Sequence, residues 1–280
     1  MPPIRLLYQP SEISTDAPSP SLPRKRGRDG CGRGDCRGQR RWVLLVWAVL
    51  CLLFAAEAAA VSSPSGWQAV LVAGDNAEPV FENAVAAARN WLVSGGVPAR
   101  NIQMLSATPG AAQGTGVAAE PASAERVLAH IAALRPGPGE GCLVFVTSHG
   151  QRGEGIWLAY SGEFLRPAEL AQALSAGCAR APTVVIVSGC FTGGFTAVGA
   201  PNRIVVTASR ADRPSFGCAV ERTYAVFDEC LLASLPQAVT WRAVIATTQR
   251  CVREREGEMQ VSPSEPQAIF GAKVRNLQVR

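Results

Sequence analysis

Two apolar stretches of the sequence each end in a reactive side chain beside a glycine. Residues 142–150 end in His149 and Gly150, and residues 183–190 end in Gly189 and Cys190. A free thiol is mostly protonated at neutral pH. A nearby imidazole can take that proton, or as imidazolium can lower the thiol pKa, and the thiolate then attacks a carbonyl carbon. A cysteine and a histidine are therefore the smallest set of side chains that this nucleophilic chemistry requires.

The residues around this pair fit the same chemistry. Both stretches are rich in β-branched residues, which is typical of strands buried on both faces of a parallel sheet. Ligands bind at the carboxyl ends of such strands, so His149 and Cys190 are expected at one edge of the sheet. The backbone N–H groups of Gly150 and Cys190 are predicted to form an oxyanion hole. Ser188 is predicted to support the turn, with a role as nucleophile as the alternative.

These motifs carry a family resemblance. Ser148-His149-Gly150 and residues 188–195, Ser-Gly-Cys-Phe-Thr-Gly-Gly-Phe, resemble the catalytic motifs of legumain-type cysteine peptidases, which share the caspase–haemoglobinase fold. The similarity is closest to the bacterial branch and covers roughly residues 67–274. Further similar stretches are residues 71–75, 96–98, 208–218 and 263–267.

The resemblance implies a fold and an activity. The expected fold is of the α/β class, a three-layer αβα sandwich with a mostly parallel, caspase-like central sheet. The expected activity is hydrolysis of peptide bonds through a thioester, with His149 as general base and Cys190 as nucleophile. The substrate would be a peptide or protein, and neither a metal nor an organic cofactor is expected.

The substrate pocket is predicted only weakly. In the family, the segment equivalent to residues 209–218 lines the pocket for the residue before the scissile bond. This points to Arg213, Ser215 and either Asp228 or Glu229, with a solvated loop carrying a charge pair as the alternative.

Two features near the first helix also bear on the pocket. Asp75 follows the first strand and is predicted to cap the next loop, with orienting His149 or binding the substrate as alternatives. Legumains that cleave after Asn carry an Arg-His pair where this chain has Val80 and Phe81. A residue preference unlike that of those enzymes is therefore expected.

Charge is concentrated at the beginning of the chain. Residues 1–41 hold nine Lys/Arg and four Asp/Glu, a surplus of five, whereas residues 61–280 hold eighteen and seventeen, a surplus of one. The domain is therefore not expected to bind nucleic acid, which requires clustered positive charge. Residues 1–41 are rich in Pro, Gly and Arg and are predicted to be a disordered leader, with an over-called start codon as the alternative.

Residues 42–60 have the pattern of a signal peptide. An apolar run follows a group of arginines, and Ala58-Ala59-Ala60 is an A-x-A cleavage pattern. The pattern predicts a peptidase domain over residues 61–280 that is periplasmic or secreted. If the segment stays uncleaved, residues 42–61 would anchor the protein in a membrane.

Export makes disulfides permissible, and the places of four cysteines in the predicted strands and helices suggest two pairings. Cys142–Cys178 would lie at the amino edge of the sheet, and Cys230–Cys251 would join consecutive helices. Small buried thiols are the alternative at all four positions. The last few residues of the chain are polar and predicted to be loosely held.

Three other functions remain open at this point. A transpeptidase would transfer the acyl group to an amine by the same chemistry. A catalytically idle binding module would keep the fold alone. A thiol redox protein would need a resolving cysteine near Cys190, and none is close in sequence.

Overall fold

The computed structural model describes residues 66–110 and 118–279. The strands are β1 (Gly66–Ala73), β2 (Ile102–Ser106), β3 (Glu120–Pro121), β4 (Glu140–Thr147), β5 (Gly150–Gln151), β6 (Gly155–Leu158), β7 (Glu163–Leu165), β8 (Thr183–Ser188), β9 (Arg203–Thr207) and β10 (Gln267–Phe270). The helices are α1 (Val80–Ser94), α2 (Ala124–Ala133), α3 (Pro167–Gly177), α4 (Val226–Ser234) and α5 (Trp241–Glu258). The predicted leader, signal peptide and membrane-anchor alternative lie outside the described residues. Among the described helices, none has the length and apolar character needed to cross a membrane.

Seven strands form the central sheet in the order β10-β9-β8-β4-β1-β2-β3. All neighbouring pairs are parallel except β10, which runs antiparallel to β9. The short strands β5, β6 and β7 form a separate antiparallel sheet after the end of β4. The predicted α/β fold with a mostly parallel, caspase-like sheet is confirmed.

The sheet is covered on both faces because alternate side chains of its strands point to opposite sides. On one side, Phe145 of β4 belongs to a core cluster with Phe81 of α1, Phe227 of α4 and Trp241 of α5. On the other side, the neighbouring valines of β4 pack in a second cluster with apolar residues of α2 and α3; these include Val144, Val146, Val127, Ile131, Leu170 and Leu174. Burial on both faces explains why β4 and β8 are almost uninterrupted apolar runs.

Local sequence signals define several element ends. The Ser123 hydroxyl accepts a hydrogen bond from the Arg126 backbone N–H at 3.3 Å and caps α2, as the sequence predicts. Helix α1 ends at Ser94 with Gly95 as its C-cap, and Gly96 follows with a φ of +91°, a left-handed conformation that favours glycine.

The C-terminal residues are not loosely held, so that prediction is wrong. Leu277 and Val279 are buried, and the backbone N–H of Val279 donates to the carbonyl of Val239 at 2.9 Å. The Trp241 N–H at the start of α5 donates to the carbonyl of Leu277 at 3.0 Å. The segment after β10 is therefore part of the core, because its few apolar side chains pack beside α5 while its polar ones face outward.

Two disulfides are present, between Cys142 and Cys178 and between Cys230 and Cys251. The first joins the start of β4 to the end of α3, at the amino edge of the sheet, and the second joins α4 to α5. Cys190 and Cys218 are the free cysteines of the described residues.

Candidate active site

The register of the two central strands brings His149 and Cys190 to one edge. Thr147 of β4 lies opposite Ser188 of β8, and the Ser148 N–H donates to the Ser188 carbonyl at 3.1 Å. Each reactive side chain lies two residues beyond the aligned pair. The imidazole and the thiol therefore sit on adjacent strand extensions, although no hydrogen bond joins them directly among the described residues.

Gly150 is in direct contact with the backbone of Cys190. A Cβ atom at Gly150 would lie 2.0 Å from the Cys190 carbonyl oxygen, a distance that no side chain can occupy. The Trp157 N–H donates to the His149 carbonyl, so His149 and Trp157 form the hydrogen-bonded pair of the β5–β6 ladder. Because such pairs alternate in antiparallel strands, the Gly150 N–H points away from β6.

A carboxylate lies against the imidazole of His149. Oε2 of Glu78 lies 3.1 Å from Nε2 of His149, whose side chain is 41 % exposed. The tautomer protonated at Nε2 can donate this hydrogen bond to the carboxylate, and in that tautomer Nδ1 has a free lone pair. The Phe81 ring meets the imidazole edge to face, with 5.2 Å between centroids. The imidazole is therefore held by one polar and one aromatic contact.

Asp75 also lies beside this histidine, and its carboxylate caps the loop after β1. Oδ1 accepts the Ala77 N–H at 2.7 Å, as the capping role requires. One ligand atom from each of Asp75, Glu78 and His149 lies within 4.8 Å of the other two, a spacing that a divalent cation also needs. The hydrogen bond to His149 accounts for the position of Glu78.

The Cys190 thiol is half-buried and bound by a neighbouring backbone. Sγ accepts the Ser215 N–H at 3.2 Å and lies 3.4 Å from the Ser215 carbonyl, to which it can donate. Burial raises the pKa of the Cys190 thiol, while the hydrogen bond from Ser215 lowers it. The predicted pocket residue Ser215 thus lies beside Cys190 and contacts it through its backbone.

The turn after Cys190 has a strained backbone. Phe191 adopts a φ of +60°, which is uncommon for a residue with a side chain. Its N–H donates to the Arg213 carbonyl at 2.9 Å, and the Arg152 guanidinium lies 5.2 Å from the centre of its ring. These contacts hold the conformation that exposes Cys190 at the strand end.

The Asp228 carboxyl lies beneath the site. It is 0 % exposed, and Oδ2 accepts the Thr147 hydroxyl at 2.7 Å. The Ser188 hydroxyl is also close enough to stabilise the carboxylate, whereas Oδ1 is buried without a hydrogen-bond partner. Burial raises the pKa of the Asp228 carboxyl to about 6, and the bonds from Ser188 and Thr147 lower it in part. The expected pocket residue Asp228 and the expected turn residue Ser188 are both buried under the strand ends.

The remaining pocket candidates are engaged elsewhere. The Arg213 guanidinium pairs with Glu265 at 3.2 Å and donates to the Pro263 carbonyl at 2.9 Å. Glu229 pairs with Arg222 at 2.6 Å, within a surface cavity of about 490 Å³. Their charged groups are therefore neutralised by neighbours, and none of these contacts reaches Cys190.

Sequence reasoning missed two residues of this site. Glu78 follows β1, and Ala73 at the end of β1 aligns with Thr147, so an acidic residue just beyond β1 is expected near His149. That signal points to Asp75 and Glu78 equally. Cys218 lies 28 positions beyond Cys190, yet the pKa of its thiol is raised to about 12 by burial, then by Asp228, Cys190 and the carboxylates of Glu78 and Asp75. Only the fold brings these groups close enough to affect the pKa of Cys218.

Comparison with known protein families gives one match. Residues 123–244, which include His149 and Cys190, match the model of the Peptidase C13 family. None of the curated proteins gives a significant match to the chain. The family match confirms the resemblance to legumain-type cysteine peptidases. The domain is therefore a cysteine-type peptidase, a hydrolase whose substrates are peptides or proteins.

Proposed function

We propose that the protein is an exported cysteine endopeptidase that uses His149 and Cys190 as its catalytic dyad. The observation that carries this proposal is the pairing of Thr147 with Ser188, which aligns the two strand ends and their reactive side chains. Export is supported by the signal-peptide pattern of residues 42–60 and by two disulfides in the domain.

The proposed reaction begins with transfer of the Cys190 thiol proton to Nδ1 of His149. The thiolate attacks the scissile carbonyl carbon, and the N–H groups of Gly150 and Cys190 stabilise the oxyanion. When the intermediate collapses, the C–N bond breaks and His149 gives its proton to the leaving amine. This leaves a thioester on Cys190.

Water completes the cycle. His149 takes a proton from the water molecule, whose oxygen attacks the thioester carbon. Breaking the C–S bond releases the carboxylic acid, and the thiolate regains its proton from His149. Glu78 keeps the imidazole in the tautomer that both half-reactions need.

The dyad is tested by comparing the full-length protein with Cys190→Ala and His149→Ala on a diverse peptide library. The matched control is His130→Ala, because His130 is the only other histidine and lies on α2. Cleavage is expected to be lost in the first two variants and retained in the control.

If no peptide of the library is cleaved, alkylation by iodoacetamide near pH 6 distinguishes an active enzyme that lacks its substrate from an inactive protein. Fast labelling of Cys190 that slows in His149→Ala supports a thiolate paired with imidazolium. Absence of cleavage together with slow labelling in every variant would favour the idle binding module. Product in which an added amine replaces water would favour the transpeptidase.

A further inference from the structure

The loop of residues 210–215 (the 210–215 loop) contacts both the proposed nucleophile and the residue that follows it. The Ser215 N–H donates to Sγ of Cys190 at 3.2 Å. The Phe191 N–H donates to the Arg213 carbonyl at 2.9 Å, and Phe191 is the residue with a φ of +60°. The position of the thiol therefore depends on where this loop lies.

The 210–215 loop also packs closely against the turn beyond Cys190. A Cβ atom at Gly193 would lie 2.3 Å from the Ala211 backbone nitrogen and 2.8 Å from the Arg210 carbonyl carbon. No side chain fits into this space, so the two backbones are in direct contact. Because close-packed groups transmit displacements, a shift of the loop would alter the turn that carries the thiol.

Glu265 links this loop to the segment between α5 and β10. One oxygen of its carboxylate pairs with the Arg213 guanidinium at 3.2 Å, and the other pairs with the Arg210 guanidinium at 2.8 Å. The Arg210 N–H also donates to the Ser264 carbonyl at 2.9 Å. The Arg213 guanidinium donates to the Pro263 carbonyl at 2.9 Å. Residues 263–265 therefore contact the loop at two points, each with one side-chain ion pair to Glu265.

Glu265 has its side chain at a backbone position that favours glycine. Its φ is +55°, in the left-handed region where a Cβ atom is disfavoured. A residue in this conformation persists when the surrounding contacts determine it. Because the carboxylate makes two ion pairs with the 210–215 loop, the side chain provides contacts that glycine could not make.

The segment that carries Glu265 is itself attached to α5. The Glu256 side chain is buried, and its Oε2 accepts the Ser264 N–H at 3.0 Å. The Val261 N–H donates to the Glu256 carbonyl at 3.1 Å. The ion pairs of Glu265 therefore join the loop to a part of the chain that the helix holds in place.

We propose that Glu265 is a positioning residue for Cys190, because its ion pairs with Arg210 and Arg213 hold the 210–215 loop where the Ser215 N–H meets Sγ. Partly exposed ion pairs contribute little to stability on their own. The role of Glu265 is therefore expected in the reactivity of the thiol and not in the free energy of unfolding. Its effect on peptide cleavage rests on the proposed function, whereas its effect on the thiol does not.

The physical link to reactivity is the hydrogen bond from Ser215. It favours the thiolate of Cys190, because its N–H donates to the sulfur that bears the negative charge. A loop released from Glu265 withdraws this donor, so less of the thiol is ionised at a given pH. The thiolate is the form that attacks, and kcat near pH 6 is expected to fall by about ten-fold when Glu265 is lost.

The first test measures the rate at which iodoacetamide alkylates Cys190 between about pH 5 and pH 10, with the labelled cysteine assigned by mass spectrometry. Glu265→Gly removes the carboxylate and also relieves the left-handed backbone, so this variant is expected to fold. The pH midpoint of the rate is expected to rise by about one unit. A change in access to the thiol alone would alter the limiting rate and leave the midpoint unchanged.

Gln260→Gly is the matched control. Gln260 has the same φ of +55° in the same segment, but its exposed side chain is uncharged and pairs with neither arginine. This variant relieves the same backbone conformation and should keep the parental midpoint. An equal rise in the two variants overturns the inference, because the carboxylate of Glu265 would then not be the cause.

A double-mutant cycle tests whether Glu265 acts through Arg213. Arg213→Met alone is expected to raise the midpoint, which keeps the inference testable if Glu265→Gly does not fold. The shift in the double variant should be smaller than the sum of the two single shifts, because both substitutions remove the same contact. Additive shifts, or a parental midpoint in Arg213→Met, overturn the inference.

The outcomes separate this inference from the proposed function. Cys190-dependent cleavage that is unchanged in Glu265→Gly, together with a parental midpoint, overturns the inference and leaves the peptidase intact. A raised midpoint in a protein that cleaves no peptide supports the positioning role while the proposed activity fails. A parental midpoint in folded Glu265→Gly overturns the inference whatever the cleavage result.

Discussion

Oε2 of Glu78 lies 3.1 Å from Nε2 of His149, so the imidazole is oriented by a carboxylate from the loop after β1. Removing this contact should impair proton transfer while leaving the thiol in place. Glu78→Ala is expected to lower kcat by roughly ten- to 100-fold, which corresponds to about 1.4–2.7 kcal/mol. Steady-state kinetics on a neutral peptide measure this change.

The chain provides a matched control for Glu78. Glu120 makes the same 3.1 Å contact with the other histidine, His130, on the surface of the domain. Glu120→Ala should therefore leave kcat near that of the parent. Equal losses in the two variants would show that the effect of Glu78 is not exerted through His149.

Substitution of Gly150 tests the proposed oxyanion hole. In Gly150→Ala, the new methyl group would meet the Cys190 carbonyl oxygen at 2.0 Å, so one of the two backbones must move. Because loss of one oxyanion donor costs about 10²–10³ in rate, kcat is expected to fall by at least about 100-fold. Gly257→Ala in α5, where a Cβ meets no atom within 4 Å, is the control. Parental kcat in Gly150→Ala with a native circular dichroism spectrum would contradict the assignment.

The buried Asp228 makes stability depend on pH. Its carboxyl pKa is raised from 3.8 to about 6, so the folded state holds this proton more tightly than the unfolded state. The resulting stabilisation is fully present below about pH 4 and is lost as the pH rises through about 6. It amounts to about 3 kcal/mol, since one pKa unit is worth about 1.4 kcal/mol.

Asp228→Asn should remove this dependence. In urea unfolding from pH 4 to pH 7 with the disulfides intact, the parent is expected to lose about 3 kcal/mol relative to the variant. Both proteins carry Cys190→Ala to prevent self-cleavage. The same pH slope in the two proteins would refute a titrating Asp228.

The disulfides should affect stability but not catalysis. Cys142–Cys178 lies at the amino edge of the sheet, and its cysteines are 36 residues apart in sequence. Replacing both cysteines with Ala is expected to lower the free energy of unfolding by about 3 kcal/mol, with kcat at 25 °C unchanged. A large fall in kcat at a temperature where the variant stays folded would mean that the bridge reaches the active site.

The sequence predicts the central strands well and the periphery less well. Apolar runs ending in His149 and Cys190 indicate buried parallel strands, because burial on both faces demands such runs. Strand β10 was missed because it has four residues and follows a proline-rich turn. Long-range packing, which local pattern does not encode, buries Leu277 and Val279.

The candidate site, too, was predicted from the sequence only in part. The motifs identify His149 and Cys190, but a carboxylate such as Glu78 is fixed only by the meeting of loops from different strands. The sequence did contain a signal for the burial of Asp228. This residue lies three and seven positions before Leu231 and Leu235, so helical spacing places it on the apolar face of α4. A charged residue at such a position is buried only where other polar groups form hydrogen bonds with it.

The packing of Leu277 and Val279 against the start of α5 has a consequence for biosynthesis. These residues are the last of the described chain to be made, yet α5 covers one face of the strands that carry the catalytic side chains. A nascent polypeptide therefore lacks part of its core until translation has passed Val279. Folding of the domain is thus expected to be completed only after these last residues have been made.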